Sequence, residues 1–167
     1  MRIGAIRSGG QTGVDRAALD FAREREIRYA GWCPRGGWAE DQPAPPGVLA
    51  LYPDLRETPS DIPAQRTAWN VRDSHATLIL LQRENPGSSQ GTIFTQEAAE
   101  LIFLRPCLVI DIAASDAAGT AYRWLDRVAS VLSCDMLVLN VAGPRESEIP
   151  GIYAAARQFL DKLFRIG

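Results

Sequence analysis

Ile3-Gly4-Ala5-Ile6-Arg7-Ser8-Gly9-Gly10-Gln11-Thr12-Gly13-Val14-Asp15-Arg16-Ala17-Ala18 opens the chain and decides how the rest is read. Ile3–Arg7 suits a short strand, and the glycines after it suit a tight loop. From Val14 onward, apolar residues recur at Ala17, Ala18, Phe21 and Ala22, with Asp15, Arg16, Asp20, Arg23 and Glu24 opposite, which is one face of an amphipathic helix. The unit is strand, glycine loop, helix.

The same alternation continues to the last residues. Residues 28–32 read as a second strand, 62–73 as a helix, and Ala76–Leu81 as a strand buried on both faces. A helix follows at 92–104, with Phe94, Ala98, Leu101 and Ile102 in phase. Residues 107–112 form a fourth strand. Ala121, Trp124, Leu125, Val128, Val131 and Leu132 mark one face of the next helix. Residues 136–141 form a fifth strand, and Ile152, Ala156, Phe159, Leu160 and Leu163 a closing helix. Strands separated by helices imply right-handed crossovers and a parallel sheet. The expected fold is a single α/β domain over residues 1–167: a Rossmann-like three-layer sandwich with a mainly parallel sheet of about five strands and helices on both faces. Residues 33–62 hold six of the eleven prolines and no sustained period, so they are expected as an irregular lobe.

Composition narrows the chemistry. The chain has 167 residues, is 46% hydrophobic and 23% charged, and carries a net charge of −2. That describes one globular domain and argues against a general nucleic-acid coat, which carries a basic excess. The apolar runs are too short to cross a bilayer, and no secretory signal pattern opens the chain. The expectation is a soluble cytoplasmic protein with neither nucleic acid nor membrane as partner. His75 is the one histidine and Lys162 the one lysine, so no Walker lysine follows the glycine loop. Cys33, Cys107 and Cys134 form no paired zinc spacing and are expected as free thiols.

Open parallel sheets bind ligands beyond the carboxyl ends of their strands. Two loops are expected there. In the first, Ser8-Gly9-Gly10-Gln11-Thr12-Gly13, glycines let backbone N–H groups approach an anion beside a positive helix end. It misses the first glycine of the dinucleotide fingerprint, and no ribose-binding acid stands at Ala30-Gly31-Trp32. A plain turn capping the helix is the other reading. The second loop, Gly87-Ser88-Ser89-Gln90-Gly91-Thr92, matches the nucleophile elbow, but that chemistry needs a histidine downstream and His75 lies upstream. Phosphate capture by Ser88, Ser89, Gly91 and Thr92 suits it better. Arg7, Arg16, Arg35, Arg66 and Arg72 are available as forked anion donors, and Asp15, Glu40, Asp41 and Asp73 accompany them. Each also reads as a solvated charge or local ion pair. Trp32, Trp38 and Trp69 read as packing, and His75 as structural.

These residues resemble a known family. Ser8 through Arg16, Gly31-Trp32-Cys33-Pro34-Arg35-Gly36, Ala39-Glu40-Asp41, Glu57-Thr58-Pro59-Ser60, the run from Gln65 to Ser74, and Leu139-Asn140-Val141-Ala142-Gly143-Pro144-Arg145-x-Ser147 resemble the molybdenum cofactor carrier proteins. That family is similar to the Rossmann-like group labelled lysine-decarboxylase-like, whose LOG-type members bind phosphorylated nucleotide ligands. The resemblance implies a carrier that stores or protects molybdenum cofactor, a phosphorylated pterin, without catalysis. Phosphate or sulfate would occupy the same site, and molybdoenzymes would accept the cofactor. A homo-oligomer, tetramer or dimer, is implied as well. The candidate cofactor-binding residues are Ser8, Gly9, Gly10, Gln11, Thr12, Gly13, Arg16, Pro34, Arg35, Asn70, Asp73, Ser88, Ser89, Gly91 and Thr92; no catalytic or metal residue is assigned. The family's Asp-x-Asp-Ala-Thr stands here as Asp73-Ser74-His75-Ala76-Thr77, and its Gly-Gly-Thr as Gln90-Gly91-Thr92. The alternative function is a nucleotide-binding protein or a hydrolase of nucleoside-monophosphate N-glycosidic bonds, with Glu97 or Asp73 as the carboxylate.

Overall fold

The computed structural model describes residues 2–82 and 90–166. Along the described chain run β1 (Ile3–Arg7), α1 (Val14–Glu24), β2 (Arg28–Ala30), β3 (Trp32–Cys33), β4 (Arg56–Glu57), α2 (Pro63–Arg72), β5 (Ala76–Leu81), α3 (Gln90–Glu97), β6 (Cys107–Asp111), α4 (Ala117–Val131), β7 (Leu137–Ala142) and α5 (Ile152–Phe164). Five strands form one sheet in the order β2-β1-β7-β5-β6, and every pairing is parallel. The expected α/β sandwich is therefore present.

The strand order is itself informative. Doubly wound sheets start at a central strand, grow outward to one edge, then return and grow outward to the other, as in the order 3-2-1-4-5. Moving the first strand of such a sheet to the end of the chain gives the order seen here, with β7 in the centre. The chain is a circular permutation of that layout. Strand order reverses between β7 and β5, so the ligand crevice of this architecture belongs beyond their carboxyl ends.

Pleating divides the sheet's side chains between two helical layers. Ile6, Leu78, Leu80, Leu137, Leu139 and Val141 face α1, α4 and α5 and form the main core with Phe21, Leu125 and Leu160. The other face meets α2 and α3, where Val71, Ala98 and Ala99 make a smaller cluster. Asn140 and Thr77 are aligned neighbours on that face, and the Asn140 amide donates to the Thr77 hydroxyl at 3.3 Å. Both are buried, so their polar atoms need one another.

Three local expectations are revised. The second strand does not run through 32. It stops at Ala30, because Gly31 approaches Ser8 so closely that a Cβ would lie 2.0 Å from the Ser8 carbonyl oxygen. Trp32–Cys33 instead pairs with Arg56–Glu57 in a small separate sheet. The lobe over 33–62 is more ordered than its prolines suggest, for it has its own core of Leu19, Cys33, Ala39, Val48, Tyr52 and Leu55. Finally, the helix expected at 92–104 is α-helical only to Glu97 and continues over Ala98–Ile102 as a π-helix.

Candidate functional site

The glycine loop after β1 uses each glycine differently. A Cβ on Gly9 would lie 1.7 Å from Arg66 Nη1 and 2.8 Å from Asp15 Oδ2, so an arginine lies directly across it. Arg66, from α2, donates to Asp15 at 2.9 Å, and both side chains are largely buried, 15% and 5% exposed. Gly10 has φ +77°, and a Cβ there would press on Val48 and Leu55, both at 3.1 Å. It seats the lobe against the loop. Gly13 has φ +72°, and a Cβ would meet the Pro144 carbonyl oxygen at 2.4 Å. That approach lets Val14 N–H donate to the Pro144 carbonyl at 3.2 Å, so the segment after β7 occupies one orphan donor of α1.

The polar residues of the loop hold the lobe down. Gln11 Oε1 accepts from Thr12 N–H at 3.0 Å and Glu40 N–H at 2.9 Å. The Thr12 hydroxyl donates to Glu40 and accepts from Glu146 N–H at 3.2 Å, while the Ser147 hydroxyl donates to Glu40 at 2.5 Å. Burial raises the Glu40 pKa, but the hydroxyls of Ser147 and Thr12 outweigh it and hold the carboxyl below its usual range. Arg16 grips Asp41 through both terminal nitrogens at 2.9 Å and reaches the Gly10 carbonyl at 3.2 Å. Ser8 donates to the Val141 carbonyl at 2.7 Å. Ser8, Thr12 and Arg16 thus join parts of the chain.

The cleft itself opens at the switch between β7 and β5 and has a volume of about 400 Å³. Arg66, Asp15, Gln11 and Thr67 line one side; Arg145, Gly143 and Glu148, which follow β7, line another; Gly91 and Thr95 come from α3. Ile62, Pro63 and Phe94 give it an apolar wall. Arg145 also lies over the Trp38 ring, 5.6 Å from its centroid. Two guanidinium groups beside an apolar wall can take an anionic group joined to a flat ring. Arg145 and Glu148 were missed as site residues. They follow the last strand, which only the permutation brings to the centre.

The remaining candidates disperse. Arg35 is 63% exposed at its side chain and lies 3.9 Å from Asp61, and Pro34 precedes it outside the cleft lining. Asn70 clamps β3, accepting from Trp32 N–H at 2.8 Å and donating to the Trp32 carbonyl at 2.9 Å. Asp73 accepts from Arg72 at 2.7 Å and from the Trp32 indole at 2.7 Å. Those bonds, Arg72 first, hold its carboxyl below the usual range. His75 accepts from Val138 N–H at 2.9 Å, at the amino ends of β5 and β7, away from the cleft. The family departure at His75 therefore falls outside the site. Thr92 is buried in α3, and Glu97 lies outside the cleft lining. Ser88 and Ser89 lie outside the described residues. Among the described residues, no group of three or more metal-ligating side chains gathers, and no helix is long and apolar enough to cross a membrane.

Fold and cleft together define a permuted, doubly wound α/β protein whose cleft at the switch point of the sheet is lined by the loop after β1, the segment after β7, α2 and α3. The model of the circularly permutated YpsA SLOG family matches residues 6–164, and the chain belongs to that family. A crystal structure described as a "putative molybdenum carrier protein" from Syntrophus aciditrophicus SB is similar to it, with 39% identity, 96% of this chain and 94% of that chain covered, and a TM-score of 0.83. No curated protein matches the chain.

Proposed function

We propose that this protein binds a phosphorylated pterin, molybdenum cofactor, in the cleft between β7 and β5 and carries it without transforming it. The observation that carries this reading is the pairing of Arg66 and Arg145 with the apolar wall of Ile62, Pro63 and Phe94 in one cleft. A guanidinium fork suits phosphate, and an apolar wall suits a flat ring. The similar Syntrophus protein is named as a molybdenum carrier, and the motif resemblance to molybdenum cofactor carriers supports the same class of cargo. In this reading Arg145 and the backbone around Gly91 and Gly143 hold the phosphate, Phe94 packs on the ring, and Glu148 accepts from ring N–H groups. Arg66 keeps Asp15 through Nη1 and offers its other terminal nitrogen to the phosphate. The cleft carboxylates are Asp15, spent on Arg66, and Glu148, so hydrolysis of an N-glycosidic bond gains no support from Glu97 or Asp73.

Native mass spectrometry of the protein purified from its own host tests this directly. The expected spectrum contains an adduct at the mass of a phosphorylated pterin. Incubation with nucleoside monophosphates should release no free base; measurable base release that depends on Glu148 would replace the carrier reading with the hydrolase.

A further inference from the structure

A second concavity lies at the carboxyl end of α2, beside Asp73, and shares no lining residue with the cleft. It has a volume of about 630 Å³ and is lined by Arg7, Arg28, Arg56, Asp54, Asp73 and the Gly31-Trp32 corner. Its origin is topological. Ala5 pairs with Arg28 and Arg7 with Ala30, so Arg7 and Arg28 project from the same face of β1 and β2. The β3–β4 ribbon brings Arg56 to the rim of the hollow.

The charges there do not cancel. Asp73 is taken by Arg72, which leaves three guanidinium groups against the single carboxylate of Asp54. Among the described residues, no guanidinium group of Arg7, Arg28 or Arg56 has a hydrogen-bond or ion-pair partner. Arg7 makes the contrast plain. Four arginines have a buried Nε without a partner: Arg7, Arg16, Arg66 and Arg157. The last three spend terminal nitrogens on Asp41, Asp15 and Glu24, and only Arg7 has no such outlet. Burial and the neighbouring Arg28, Arg56 and Arg72 make its charged form less favourable, against the pull of Asp73. A chain of net charge −2 thus concentrates two uncompensated positive charges in one hollow.

We propose that this arginine hollow is a second binding site, for an oxyanion carrying two or more negative charges. A phosphate-type group matches the excess of charge and the forked donors. The lining is mainly polar, so the recognised part is the oxyanion rather than an apolar body. The site is independent of the cleft, because no lining residue is shared.

Inorganic pyrophosphate is the probe, titrated calorimetrically at constant ionic strength against wild type, Arg28→Gln/Arg56→Gln and Arg66→Gln. Arg28 and Arg56 are exposed, so their removal leaves the fold intact, which circular dichroism checks. The expected result is a binding event that weakens at least tenfold in the double variant and persists in Arg66→Gln. An ADP arm separates sources: tighter binding than pyrophosphate, with the same loss in the double variant, identifies an oligophosphate borne by an organic molecule. Equal affinity of wild type and double variant for pyrophosphate overturns the proposal, as does the absence of any heat at millimolar pyrophosphate. Equal affinity in the two proteins leaves the cleft reading, which rests on Arg66 and Arg145, standing, whereas the absence of any heat counts against both sites.

Discussion

Gly9→Ala should destabilise the protein through Arg66 rather than through the backbone. A Cβ at this position would stand 1.7 Å from Arg66 Nη1 and 2.6 Å from Arg66 Cζ, so the guanidinium must leave. Asp15, whose side chain is 5% exposed, then loses its 2.9 Å charge-assisted bond. A hydrogen bond to a charged group contributes ~1.5–3 kcal/mol. For a domain of this size, that corresponds to a fall in melting temperature of roughly 3–12 °C. Urea unfolding followed by tryptophan fluorescence measures the cost, in a cycle with Arg66→Ala. Arg66→Ala alone should cost about 3–5 kcal/mol, because it strands a buried carboxylate. Adding Gly9→Ala to that background should cost less than half of what it costs in wild type, since the group it displaces is gone. An equal cost in both backgrounds would refute the reasoning and put the strain in the loop itself.

Other perturbations follow from the same contacts. Glu40 and Asp73 both have lowered pKa values in the folded state, so their contributions are full above the ordinary values of 4.5 and 3.8 and are lost as pH falls below them. Urea midpoints should be flat between pH 6 and 8 and decline in acid, and Glu40→Gln should flatten part of that decline. Gly13→Ala combines φ +72° with a Cβ 2.4 Å from the Pro144 carbonyl oxygen; it should cost more than ~2 kcal/mol or prevent soluble expression. Burial pushes the Cys33 thiol up to about 11 and the Cys107 thiol up to about 12. Both should resist alkylation at pH 7.5 until denaturant is added, as mass spectrometry of labelled peptides would show.

Much of the fold was legible because it is written in local pattern. Ala76–Leu81 is an unbroken apolar run, and α1 and α5 keep their apolar faces in phase, so parallel strands and covering helices follow directly. Strand order was not legible. Nothing near Leu137–Ala142 in the sequence tells that strand to sit beside β1 and β5; only the closed pattern of crossovers does. The break at Gly31 escaped notice for the same reason, as its cause is Ser8, distant along the chain. The site was half legible. The loop of Ser8 to Gly13 stands at a carboxyl strand end, as its glycines suggested. The Thr12 hydroxyl and the Arg16 guanidinium, however, bind Glu40 and Asp41, which reach them only because the proline-rich lobe folds back. Arg145 is a single arginine after a strand, and its weight appears once β7 is central.

The central claim is that the cleft recognises the phosphate of a pterin through Arg66 and Arg145. Isothermal titration of wild type and Arg145→Gln with the phosphorylated pterin and with its dephosphorylated form tests it most directly. The account predicts that wild type prefers the phosphorylated ligand by at least tenfold, and that Arg145→Gln weakens that ligand by roughly 10- to 150-fold, the worth of one charged hydrogen bond. The dephosphorylated ligand should bind both proteins weakly and alike. Equal affinity of wild type for the two ligands would contradict the account, because the cleft would then not be reading phosphate.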